Sequence, residues 1–109
     1  MNVQSSDVQQ RLNFIDLTIS HAARACCSDA SVPQELKDFV HLLGVHSTQA
    51  RQALCSCDAA TVRENVEHLA RLSDRAQHTI RPSDGLNYDV KSAVILAHIE
   101  VSALRLQLD

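Results

Sequence analysis

The segment Val90 to Leu108, VKSAVILAHIEVSALRLQL, places the strongest constraint on the fold. Val90, Val94, Ala97, Val101, Leu104 and Leu108 recur at alternating steps of four and three. That rhythm marks one face of an α-helix. Ile95, Ile99 and Leu106 fall on nearly the opposite face. A helix that is apolar on two sides must be covered on two sides. The segment therefore calls for a helical bundle on one side and a further apolar partner on the other.

Three earlier stretches carry the same rhythm. Val8, Leu12, Ile15, Ile19, Ala22 and Cys26 predict a first helix over about 7–27, with Phe14 and Leu17 widening its apolar face. Asp7 with Gln10 has the spacing of a capping box. Leu36, Val40, Leu43, Ser47, Ala50 and Leu54 predict a second helix over 32–55, with Ser31 as its cap and Pro33 in its first turn. Gly44 inside it suggests a close helix crossing. Val62, Val66, Leu69, Ser73, Ala76 and Ile80 predict a third helix over 59–80, capped by Asp58 or by Thr61 paired with Glu64. The turn-rich run Arg81-Pro82-Ser83-Asp84-Gly85 ends it, and the fourth helix runs over 86–108. Ser47 and Ser73 are polar within these faces, and each hydroxyl is expected to bond a backbone carbonyl one turn back.

An offset of 54 residues superposes the two halves. It pairs Val8 with Val62, Ala22 with Ala76, Val40 with Val94, Arg51 with Arg105 and Leu54 with Leu108, and it aligns Leu12 with Val66 and Leu36 with Val90. The arrangement reads as two helical hairpins, compatible with a duplication. Short links favour antiparallel neighbours. The expected fold is all-α, an antiparallel up-down four-helix bundle forming one domain over 1–109. Only two Gly, two Pro and no Trp occur, so its core must be aliphatic.

The charges exclude several functions. Ten Lys and Arg against thirteen Asp and Glu give a net charge of −3, with no block of one sign. Nucleic-acid binding needs clustered cations and often stacking aromatics, so no nucleic-acid partner is expected. No apolar run reaches the roughly 18–20 residues that span a bilayer, so no membrane partner is expected either. The N-terminus MNVQSSDVQQ lacks a signal-peptide pattern. A cytoplasmic location follows, with cysteines reduced.

The four cysteines form two pairs, Cys26-Cys27 and Cys55-Ser56-Cys57. The bundle topology places the pairs at opposite ends, ~30 Å apart, which precludes one tetrahedral site or a disulfide between them. Cys26 reads as a core residue and the others as thiols near helix ends. His78 ends helix 3 at the pole of Cys26 and Cys27, leaving a Cys/His thiol or metal sensor as one alternative. None of the six histidines forms an i, i+4 pair with another, and no HExxH occurs. No metal or other cofactor is expected. His98 lies between Lys91 and Arg105 on a polar flank that reads as solvated.

Val40-His41-Leu42-Leu43-Gly44-Val45-His46-Ser47 lies in the second helix of the expected bundle. It resembles the phospho-accepting helix of histidine phosphotransfer domains, whose pattern reads His-x-Leu-Lys-Gly-x-Ser/Ala. His41, Leu43 and Ser47 match. Gly44 follows His41 by three residues instead of four, and the Lys is absent. The resemblance implies His41 as phosphoacceptor in a signalling domain.

No nucleotide-binding loop or nucleophile elbow is present, so the chain is expected to be non-enzymatic. The second apolar face of the last helix carries the functional expectation. Ile95, Ile99, Ser102 and Leu106 form an interface, most simply of a homodimer, in an adaptor, regulator or small chaperone. An unidentified protein partner is the other candidate to cover that face.

Overall fold

The computed structural model describes residues 5–80 and 88–108. Four helices follow in order: α1 (Ser5–Cys27), α2 (Gln34–Cys55), α3 (Ala59–Thr79) and α4 (Tyr88–Leu108). Each packs on its neighbours in sequence, and α1 closes the ring against α4. The result is an antiparallel four-helix bundle with backbone extents of 43 × 21 × 18 Å. No strand occurs among the described residues.

Most of the buried side chains are those the rhythm selected, with Thr18, Val32, Ala53, Asn65 and Ala93 added to them and Leu54, Ile80 and Leu108 only half-buried. Leu12, Ile15, Leu36, Leu43, Leu69, Val90, Val101 and Leu104 are almost wholly buried. They form two clusters, one toward each end of the bundle. One gathers the starts of α1 and α3 with the ends of α2 and α4. The other holds Ala22, Cys26, Leu36, Ala76 and Val90. The 54-residue offset is carried in three dimensions. Ser5 and Ala59 open α1 and α3, and Gln34 and Tyr88 open α2 and α4. Buried Val8, Leu12, Ile15 and Ala22 correspond to buried Val62, Val66, Leu69 and Ala76.

Local details correct several expectations. Helix α1 begins at Ser5, so Asp7 stands inside its first turn and not at the cap. An acid there still faces the positive end of the helix dipole. Pro33, in extended geometry and with no side-chain cap bond, is the N-cap of α2. Ser31 instead donates its amide and hydroxyl to Asp29 Oδ1, at 2.9 and 2.6 Å. Phe14 and Leu17 do not widen the buried face of α1: they are 48% and 68% exposed. The expected start of the last helix at Leu86 or Asn87, and the Arg81–Gly85 stop, lie outside the described residues.

The α2–α3 corner is the tightest link. The Ser56 amide bonds the Gln52 carbonyl, the Cys57 amide bonds Leu54 and the Asp58 amide reaches back to Ala53. That is the Schellman closure of a helix end. Cys57 takes the left-handed position, with φ 58°, where glycine is the usual residue. Asp58 then caps α3. Its carboxylate accepts from the Thr61 amide at 3.1 Å and the Thr61 hydroxyl at 2.6 Å. Thr61 is therefore not the cap.

The polar core residues find partners. Ser73 donates to the Ala70 carbonyl at 3.1 Å, as expected. Ser47 departs from expectation and donates to Asp16 Oδ1 on α1 at 3.3 Å, while Arg51 pairs with Asp16 Oδ2 at 3.1 Å. Gly44 marks no close crossing. A Cβ built there would meet only Ile19 Cγ2, at 3.9 Å, an ordinary van der Waals contact.

Candidate interaction surface

Helix α4 turns Val90, Val94, Ala97, Val101 and Leu104 into the core. Ile95, Ile99 and Leu106 lie on its outer face, 41%, 55% and 76% exposed. Ser102, on the same side, is half-buried. The flank of α4 next to α3 is not simply solvated. Arg105 Nε bonds Glu67 Oε1 at 2.9 Å, and His98 Nε2 lies 3.6 Å from Asp74 Oδ1. On the other flank, Glu100 and Gln107 line a groove against α1 with Phe14 and Gln10.

Two further exposed hydrophobics, Phe14 and Leu17 on α1, lie outside the set expected from the sequence. Phe14 borders α4, and Leu17 stands one turn along α1, close to 180° around the wheel from the buried Val8–Ile19 line. The angular positions of Phe14 and Leu17 held that signal. Of the nine large hydrophobics exposed among the described residues, two are on α1, five on α4, two on α2 and none on α3. Leu96 and Tyr88 complete the α4 set.

His41 is exposed on α2. It lines a shallow groove against α1 with Asp16, Ser20, Gly44, Val45 and Thr48. Val45, one turn after His41, stands where the phosphotransfer pattern has its glycine, and it is exposed as well.

The cysteines behave as thiols. All four are free, with Cys26 buried and Cys27, Cys55 and Cys57 exposed. Burial pushes the Cys26 thiol up, and Cys27 beside it adds to the shift, against an opposing effect of Lys37. His78 turns to Asp74, its Nδ1 2.7 Å from that residue's carbonyl oxygen.

A histidine pair escaped the sequence reading. His46 of α2 and His68 of α3 stack with ring centroids 4.7 Å apart and planes inclined by 19°. Buried Asn65 donates through Nδ2 to the Thr61 carbonyl at 2.9 Å, so its Oδ1 faces His46 Nδ1 at 3.0 Å as acceptor. His46 therefore carries a proton on Nδ1. Rings this nearly parallel aim their lone pairs side by side and do not converge on one ion. The signal was hairpin geometry: both residues stand eleven positions from Cys57 at the turn.

No family model, curated protein or solved structure matches this chain. Among the described residues, no helix is long and apolar enough to cross a membrane.

Proposed function

We propose that this chain is a non-enzymatic helical interaction module that forms a twofold homodimer through α4, with α1 at its edge. The supporting observation is the lopsided distribution of exposed hydrophobics, seven of nine on these two adjacent helices. Covering the exposed parts of Ile95, Ile99 and Leu106 contributes roughly 1–2 kcal/mol each, and twofold symmetry makes each contact twice. A long side of a bundle 43 by 18 Å offers on the order of 800 Å², the per-partner area of a standard stable interface.

The flanks favour a second copy as the occupant. Lys91, His98 and Arg105 border the outer face on one side and Glu100 on the other. A twofold axis parallel to α4 sets Lys91 of each copy on the side of the partner's Glu100, Arg105 and His98 being already turned to Glu67 and Asp74 within the chain. An antiparallel pairing would oppose like flanks. Sedimentation of the wild type and of Ile99→Glu tests the reading. A wild-type dimer at micromolar concentration that the substitution dissociates is expected. A wild-type monomer there overturns it. Such a dimer suits an adaptor, a regulator or a small chaperone.

A second reading is histidine phosphotransfer through His41, favoured by the exposure of that side chain on α2 of a four-helix bundle. Incubation with a small phosphoramidate donor, followed by intact mass and a His41→Gln control, decides it. Phosphorylation that is absent, or unchanged in the variant, removes it.

A further inference from the structure

We propose that the groove between the start of α1 and the end of α2 binds a small peptide disulfide and takes one half of it onto Cys55 as a mixed disulfide. The groove has a volume of about 620 Å³, within the range of small-molecule sites. Buried Leu12 and half-buried Leu54 supply its apolar lining. Its exposed rim brings Gln9 and Asn13 from α1 and Arg51, Gln52 and Cys55 from α2. The site lies on the α1–α2 seam, away from the outer face of α4, and does not depend on the proposed dimer.

Arg51 and Gln52 stand four and three residues before Cys55, so both lie one turn from the thiol on the same side of α2. Arg51 is the one charged residue in the lining. Its Nη1 bonds Asp16 Oδ2 at 3.1 Å. Its Nη2 and Nε have no partner among the described residues, and they suit a carboxylate. The side-chain amides of Gln9, Asn13 and Gln52 offer donors and acceptors to peptide groups. An apolar lining, three amides and one cation match a peptide thiol that bears carboxylates, of which glutathione is the simplest probe. In its disulfide form such a ligand brings its own oxidant. Cys55 Sγ attacks one sulfur as thiolate, a new S–S bond forms, and the old one breaks. Cys55 is oxidised, and the departing half is reduced to a thiolate that takes up the proton Cys55 lost. The other exposed thiols are references. Cys57 shares a hollow of about 240 Å³ with Asp58, whose carboxylate opposes an anionic ligand, and with Arg63, which is bonded to the Leu108 carbonyl. Cys27 ends α1 at the opposite pole.

The experiment mixes the reduced full chain with oxidised glutathione and follows Cys27, Cys55 and Cys57 by intact mass and peptide mapping. The expected result is a glutathionyl group on Cys55, added at least about tenfold faster than at Cys27 or Cys57. Arg51→Gln and Asn13→Asp, both at exposed positions, each slow that step by about tenfold. Their rates with hydroxyethyl disulfide, which carries neither charge nor peptide group, stay at the wild-type value. Asn13→Asp leaves the Arg51–Asp16 pair in place and keeps the test decisive where Arg51→Gln disturbs the fold. Equal glutathionylation of the three exposed thiols overturns the proposal. A preference for Cys55 that is the same with both disulfides and indifferent to both substitutions also overturns it, since it marks an accessible thiol and no binding groove.

Discussion

Gly44 faces Ile19 across the α1–α2 seam with room for a methyl group, the contact of an added Cβ falling at 3.9 Å from Ile19 Cγ2. The glycine therefore weakens its helix without serving the packing. Gly44→Ala is expected to raise stability by about 1 kcal/mol, measured by urea unfolding. A loss of stability would show that the seam is tighter than this contact implies.

Cys57 holds a left-handed backbone at φ 58°, which a Cβ opposes by roughly 1 kcal/mol or more. Cys57→Gly relieves that strain while giving the unfolded chain more freedom, and a net gain of about 0.5–1 kcal/mol is expected. Cys57→Val, branched at Cβ, should lose stability in the same assay.

Asp58 supplies a pH signature. Hydrogen bonds from the Thr61 hydroxyl and amide hold its carboxyl below the usual carboxylate range. A depressed folded-state value means that the ionised cap stabilises above the unfolded value. That contribution is lost as pH falls through the folded one. Thermal unfolding between pH 2 and 6 should thus show an acid limb that Asp58→Asn flattens. An identical limb in the variant would assign it to other carboxylates.

At the proposed interface, Leu17→Glu on α1 should weaken the dimer less than Ile99→Glu, because Leu17 lies at its edge. Equilibrium sedimentation distinguishes the two. Equal and negligible effects would remove this surface from consideration.

The helices and their buried faces were legible because a period of 3.6 is written into every residue of a long amphipathic segment. Ser73 and the outward Ile95, Ile99 and Leu106 were read correctly for the same reason, each being a local matter of spacing, and the choice between Asp58 and Thr61 as cap, which spacing left open, falls to Asp58. Ser31 and Asp7 were misread because competing acceptors nearby, and a helix that starts two residues earlier, decide which polar group caps. Ser47 with Asp16 and His98 with Asp74 were not legible, and His46 with His68 became so only once Cys57 was known to be the corner. Each joins different helices, and the level at which two helices meet depends on the corner between them.

The 54-residue register relates the α1–α4 side of the bundle to the α2–α3 side. Where one side has Phe14, Leu17, Ile95 and Leu106, the other has His68, Arg71, His41 and Gln52, although Leu42 and Val45 stand where Leu96 and Ile99 do. Two greasy sides on opposite walls of one rod would let copies add without end, as stacked bricks do. In the proposed dimer, the mostly polar second wall would leave each copy a single hand to offer, and an assembly built that way would stop at two.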